Sequence, residues 1–118
     1  MATLTKIPLS GSTHGRGILV AATAIGTPTT IHTAQATTTD GLGDEVVLYA
    51  YNSNTTDETL VIGFGGTTDP NDLMKFTVPA GQTIPVLAGL LIRNALVVGA
   101  ASTTTNKVSI FGYVVRAS

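Results

Sequence analysis

Charge is the scarcest thing in this chain: 11% of its residues are Asp, Glu, Lys or Arg. A folded chain of this mass exposes roughly 6,000 Å². Thirteen charged side chains, six basic and seven acidic, must serve all of it. Freely soluble surfaces carry about a quarter to a third charged residues. Thr, Ser, Asn and Gly therefore do the wetting, or part of the surface is hidden in an assembly. Cysteine is absent, which excludes a disulfide frame and a thiolate zinc site. Trp is absent too, and the aromatics are limited to three Tyr and three Phe, so a stacking platform for oligonucleotides has no visible basis. The net charge of -1 and pI near 6.0 argue against nucleic-acid binding, which draws its affinity from clustered Lys and Arg. Long apolar runs are missing as well. The one membrane-like stretch, Ile84 to Ala101, is broken by Pro85, Arg93 and Asn94 into pieces of strand length. The residues from Met1 to Ile7 are followed by no apolar run of signal-peptide length, which predicts no export by that route.

What is present is Thr, Val, Ile and Ala in short runs, punctuated by Gly, Asn, Asp and Pro. Branched β-carbons suit a pleated sheet and lose rotamer freedom in a helix. The pattern predicts an all-β chain with little or no helix. Strands are expected at Glu45 to Tyr51, Thr59 to Phe64, Leu73 to Val78, Thr83 to Leu87, Ala95 to Ala101 and Lys107 to Val115. The turn Asn52 to Asp57 suggests that the first two pair as an antiparallel hairpin. Weaker strands are expected at Ile18 to Ile25 and Thr29 to Ala36. Residues 1–16, with Gly11 and Gly15, read as an extended amino-terminal arm before a single β-sandwich domain over 17–118.

Two strands break the usual alternation of apolar and polar residues. Val46, Leu48 and Ala50 share one side of their strand, yet Val47, Tyr49 and Tyr51 on the other side are apolar too. The last strand repeats this, with Val108, Ile110 and Val114 opposed by Phe111, Tyr113 and Val115. An antiparallel sheet with one wet face shows polar residues at every second position. Either loops and the amino-terminal segment cover the second face, or another copy of the chain does. Val47, Tyr49, Tyr51, Phe111 and Tyr113 are the candidate interface residues.

No residue is assigned a catalytic role. His14 sits in the glycine-rich arm beside Arg16, and His32 in a possible strand; neither belongs to a motif. Gly63-Phe64-Gly65-Gly66 lacks the Lys and helix of a phosphate-binding loop. Asp69-Pro70-Asn71-Asp72 lacks the spacing of a calcium loop and reads as a turn. Asp40, Asp44 and Glu45 read as a solvated cluster where a strand begins, since like charges face water. No metal site or cofactor is expected.

The block Glu45 to Arg116 resembles small structural proteins of tailed-bacteriophage virions. The resemblance is carried by Glu45-Val46-Val47-Leu48-Tyr49-Ala50-Tyr51-Asn52, Glu58 to Gly66, Val78-Pro79-Ala80-Gly81-Gln82-Thr83, Gly89-Leu90-Leu91-Ile92 and Asn106 to Arg116. It implies a β-sandwich of jelly-roll type and a non-enzymatic decoration, or cement, protein that reinforces the capsid exterior, assembled in the host cytoplasm. It further implies a homotrimer and contact with the major capsid protein, for which Lys6, His14 and Arg16 of the arm are candidates. A glycan-binding module of a head fibre or tail tip is the alternative, and it would call for aromatics and polar clusters on loops. No nucleic-acid or membrane partner is expected.

Overall fold

The computed structural model describes residues 2–118, and β-branched runs set its strands. They are β1 (Leu4–Pro8), β2 (Ile18–Leu19), β3 (Thr29–Thr33), β4 (Gly43–Asn52), β5 (Glu58–Phe64), β6 (Leu73–Val78), β7 (Thr83–Ile92), β8 (Val97–Ser102) and β9 (Val108–Ala117). The described residues contain no helix. Two antiparallel sheets result. The first has the order β1-β9-β4-β7, with β2 also paired to β9, and the second has the order β3-β8-β5-β6. They pack as a β-sandwich.

The core lies between them. Val46, Leu48 and Ala50 of β4 and Val108, Ile110 and Val114 of β9 point inward from the first sheet. Ile31, Leu60, Ile62, Val98 and Ala100 meet them from the second. These side chains are sealed from water, and each stabilises the fold by roughly 1.5–3 kcal/mol for the larger ones. The period-two alternation along β4 is what sends Val47, Tyr49 and Tyr51 to the opposite side.

Chain neighbours mostly sit in different sheets. β4 and β5 do not form the expected hairpin: β4 pairs with β7 and β9, and β5 with β6 and β8. The connection 53–57 is longer than a tight two-residue hairpin loop and crosses the roughly 10 Å gap between sheets. Asn52 holds that crossing. Its side-chain nitrogen donates to the carbonyls of Thr56 (2.9 Å) and Val78 (3.0 Å), and its oxygen accepts from the Asn54 N–H (2.8 Å).

Within residues 2–16 the chain is extended over β1, and β1 is bonded to its own domain, along the edge of β9 from Leu4↔Ala117 to Pro8↔Tyr113. The chain then leaves the edge, buries Leu9 and reaches the second sheet, where the Gly11 N–H donates to the Ile31 carbonyl at 2.9 Å. It returns to β9 as β2. The strand expected at Ile18 to Ile25 is thus cut to two residues, because after Val20, which bonds to Val108 and Asn106, the chain bonds to Thr29, Ser102 and Thr105 rather than continuing a ladder.

One turn carries visible backbone strain. Asn94 (φ 63°) and Ala95 (φ 55°) are both left-handed, in a turn where the Leu96 N–H meets the Arg93 carbonyl at 3.3 Å. Turns of this type favour glycine at the second central position. An alanine there carries about 1–2 kcal/mol of steric penalty. Ala95→Gly is expected to raise stability by about 0.5–1 kcal/mol, after the added freedom of the unfolded chain is offset. A urea midpoint that fails to rise would contradict this.

Candidate interaction face

β4 and β9 lie side by side in register, with Val47 opposite Tyr113, Tyr49 opposite Phe111 and Tyr51 opposite Ser109. All of these positions have the parity that faces away from the core. Directly opposed residues have Cβ atoms about 5 Å apart, so the five candidate residues form one continuous patch. The aromatic members remain open to solvent: Tyr49 43%, Tyr51 37%, Phe111 41% and Tyr113 36% exposed. The chain's three tyrosines are all here. The other two phenylalanines, Phe64 and Phe76, pack against the core instead.

The loops and the amino-terminal segment leave part of this face uncovered. β1 widens it, placing Pro8 beside Tyr113, and β7 adds Pro85 beside Tyr49 on the other flank. Leu19 of β2 is half exposed next to Ser109. The Phe111 ring lies directly over Gly17, where an added Cβ would come within 2.7 Å of it. Only a residue without a side chain leaves room for that ring.

The residues considered for capsid contact border the same face in part. The Lys6 ammonium stands 5.2 Å from the centroid of the Tyr113 ring, a cation–π distance. Arg16 immediately precedes Gly17 and anchors its loop through an N–H bond to the Thr13 carbonyl at 3.1 Å. His14 is exposed in that loop, with a left-handed backbone (φ 54°).

The second polar feature is buried. Asp44 is fully enclosed, which corrects its reading as part of a solvated cluster. Asp40 and Glu45 are exposed as expected, Asp40 paired with Arg93 at 3.1 Å. Asp44 has the parity of Val46 and Leu48 and so points inward at the start of β4. One of its oxygens accepts from Arg116 Nε and the other from Arg116 NH2, each at 2.8 Å, a two-pronged pairing. His32 Nε2 approaches at 2.7 Å, and Gln35 adds its main-chain N–H at 3.2 Å. The Ser10 N–H donates to His32 Nδ1 at 3.0 Å. That nitrogen therefore carries no proton, and the hydrogen on Nε2 points at Asp44. Burial raises the Asp44 pKa, but the bonds from Arg116 and His32, the Arg116 charge and the Gln35 N–H outweigh it and bring it down from 3.8 to about 2. Arg116 is raised correspondingly by its bond to Asp44. With both imidazole nitrogens engaged and the ring enclosed, this cluster ties β3 of one sheet to β4 and β9 of the other.

The remaining sequence candidates are local turns. Asp72 accepts from the Thr68 N–H at 3.1 Å, closing the 65–72 loop on itself. No group of three or more His, Asp or Glu suited to a metal ion occurs among the described residues. The depressions between loops are open; one of about 560 Å³ lies between Phe64, Ile92, Leu96 and the Arg93–Asp40 pair. No described helix is long and apolar enough to cross a membrane. Comparison with family models, with curated proteins and with solved structures gives no match.

Proposed function

We propose that this protein is a structural component of a bacteriophage virion, a decoration protein that adheres to the capsid exterior and performs no chemistry of its own. The observation that carries the reading is the aligned patch of Val47, Tyr49, Tyr51, Phe111 and Tyr113 on the outside of a sandwich. Exposed apolar patches of this extent are characteristic of protein contact surfaces. Aromatic residues dominate the binding energy of such contacts because they bury much area with few rotors. A shell under internal pressure is reinforced by many modest contacts repeated over its surface, for which area matters more than catalytic groups. Its partners in this reading are other copies of itself and the major capsid protein, the latter reached by the 9–17 loop with His14 and Arg16.

The strand order supports the finer fold assignment. β1-β9-β4-β7 facing β3-β8-β5-β6, with the chain passing repeatedly between sheets, is compatible with two interlocked Greek keys, a jelly roll. The exposed aromatics also sit on strands rather than on loops, which favours a protein contact over the glycan-binding alternative.

Purified protein mixed with undecorated, expanded capsids should bind at micromolar concentration, and Tyr113→Asp should weaken association by about thirtyfold or more while leaving the fold intact. Absence of capsid binding alongside a positive glycan screen would replace this reading with the fibre or tail-tip one. Unfolding of Tyr113→Asp would place that ring in the core.

A further inference from the structure

The outer face of the first sheet is complementary to itself. β9 is the midline of a three-strand strip of it, with β1 and β2 on one side and β4 on the other, and β7 lies beyond β4. Across that midline Lys6 lies opposite Glu45 through Val115, Pro8 opposite Val47 through Tyr113, and Leu19 opposite Tyr51 through Ser109. Gly17, beneath the Phe111 ring, lies across from Tyr49 in the same way. Each row therefore sets a cation against an anion, or a smaller apolar residue against a larger one.

We propose that the protein pairs face to face with a second copy of itself about a two-fold axis running along β9. Such a rotation exchanges the two sides of the midline while keeping each row level. Lys6 then falls on Glu45 of the second copy, Pro8 on Val47, Leu19 on Tyr51, and Gly17 leaves space for Tyr49. Phe111 and Tyr113 meet their own equivalents beside the axis, as an isologous contact requires. Sheets packed this way lie about 10 Å apart with strand directions within about 30° of each other.

Charge complementarity selects a second copy over other occupants. The ion pairs among the described residues are His32–Asp44, Arg93–Asp40 and Arg116–Asp44. Lys6 and Glu45 are in none of them, and both are exposed on the rim of the patch. The two-fold satisfies both charges twice over. The three strand positions that overlap, β9, β4 and β1 with β2, lie about 4.8 Å apart and give roughly 450 Å² per copy, so a pair covers roughly 900 Å², the size of a weak, transient contact. A reversible dimer is the expected result.

This pairing rests on the reading of the face as a protein contact, and charge exchange tests the two separately. Sedimentation velocity on the whole chain should give a concentration-dependent mass approaching twice 12.0 kDa. Lys6→Glu and Glu45→Lys should each weaken association by about thirtyfold or more, because each turns two attractions into two repulsions. An equimolar mixture of the two variants should restore it to within about threefold of the wild type, since a mixed pair regains both ion pairs. The double variant should do the same. Circular dichroism confirms that each variant is folded. Oligomers with unchanged affinity in the single variants, or no rescue on mixing, overturn the two-fold arrangement and leave the contact face standing. A limiting mass of three times 12.0 kDa overturns it in favour of the trimer that the resemblance implies. A wild-type monomer at every concentration overturns self-pairing altogether, while capsid binding, measured independently, decides the proposed function.

Discussion

Asp44→Ala is expected to destabilise the fold by about 3–5 kcal/mol, the range seen when one member of a buried pair is removed. That is a large part of the roughly 5–15 kcal/mol that holds a domain of this kind folded. The loss would come less from the missing Coulomb energy than from what is left behind. Arg116 would keep its guanidinium at the end of β9 without its two-pronged partner, and the buried His32 Nε2–H and the Gln35 N–H would lose the acceptor they now share. Each orphaned buried donor costs about 1–3 kcal/mol. Chemical denaturation at pH 7 measures the difference, and a loss below about 1 kcal/mol would show that the cluster does not tie the sheets together.

The same carboxylate sets an acid limit. Its folded pKa is depressed, from 3.8 to about 2. The unfolded chain therefore binds a proton at higher pH than the folded one, and acidification favours unfolding. The stabilisation from this group is fully present above about pH 4 and is lost as pH falls toward 2, about 2 kcal/mol in all. Wild-type stability should decline across that window, and Asp44→Ala should show a correspondingly shallower decline. Parallel declines in the two proteins would assign acid sensitivity to other carboxylates.

Much of this was legible in the chain. β4 and β9 were readable as strands because unbroken runs of β-branched and aromatic residues are bounded by turns, and period-two parity separates their core-facing side chains from their outward-facing ones. Asp44 was misread for a local reason: it was grouped by charge with Asp40 and Glu45, when its parity with Val46, Leu48 and Ala50 was the stronger signal. Asn52 continues that parity at the other end of β4, and Glu58 shares it with Leu60 and Ile62. Both are buried. Inward-facing polar residues at strand ends are the positions where a sandwich closes off its core, and a period-two reading carried through to the ends finds them. The hairpin error has a different origin. Side-chain alternation fixes which face a residue takes and is silent on which strand it pairs with. β4 finds both partners far along the chain, so its neighbours followed from the connection length across 53–57 and not from the strands. The route of residues 9–17 was illegible because it depends on main-chain bonds from Gly11 and Ser10 to β3, which glycine-rich composition does not encode.

Gly112→Ala is expected to destabilise by about 3 kcal/mol or more, the upper end for overpacking. Gly112 is opposite Leu48 in the ladder, its φ of 159° is one that L side chains rarely adopt, and space is short as well. An added Cβ would run into the Val47 carbonyl and come within 3.1 Å of the Leu48 Cα, both main-chain atoms with no rotamer to turn aside. β9 would have to move off β4. Gly81→Ala is the control: Gly81 is left-handed (φ 70°) with open space around it, and the substitution should cost only about 1 kcal/mol. Equal losses in the two variants would refute the steric account. The position of Gly112, between Phe111 and Tyr113, gives the prediction a functional arm. Displacing β9 breaks the register that sets Tyr113 against Val47 and Phe111 against Tyr49, so any folded Gly112→Ala protein should associate more weakly than its residual stability alone would suggest. The close approach of the two backbones at Gly112 is thus also what holds the register that aligns the four aromatic rings.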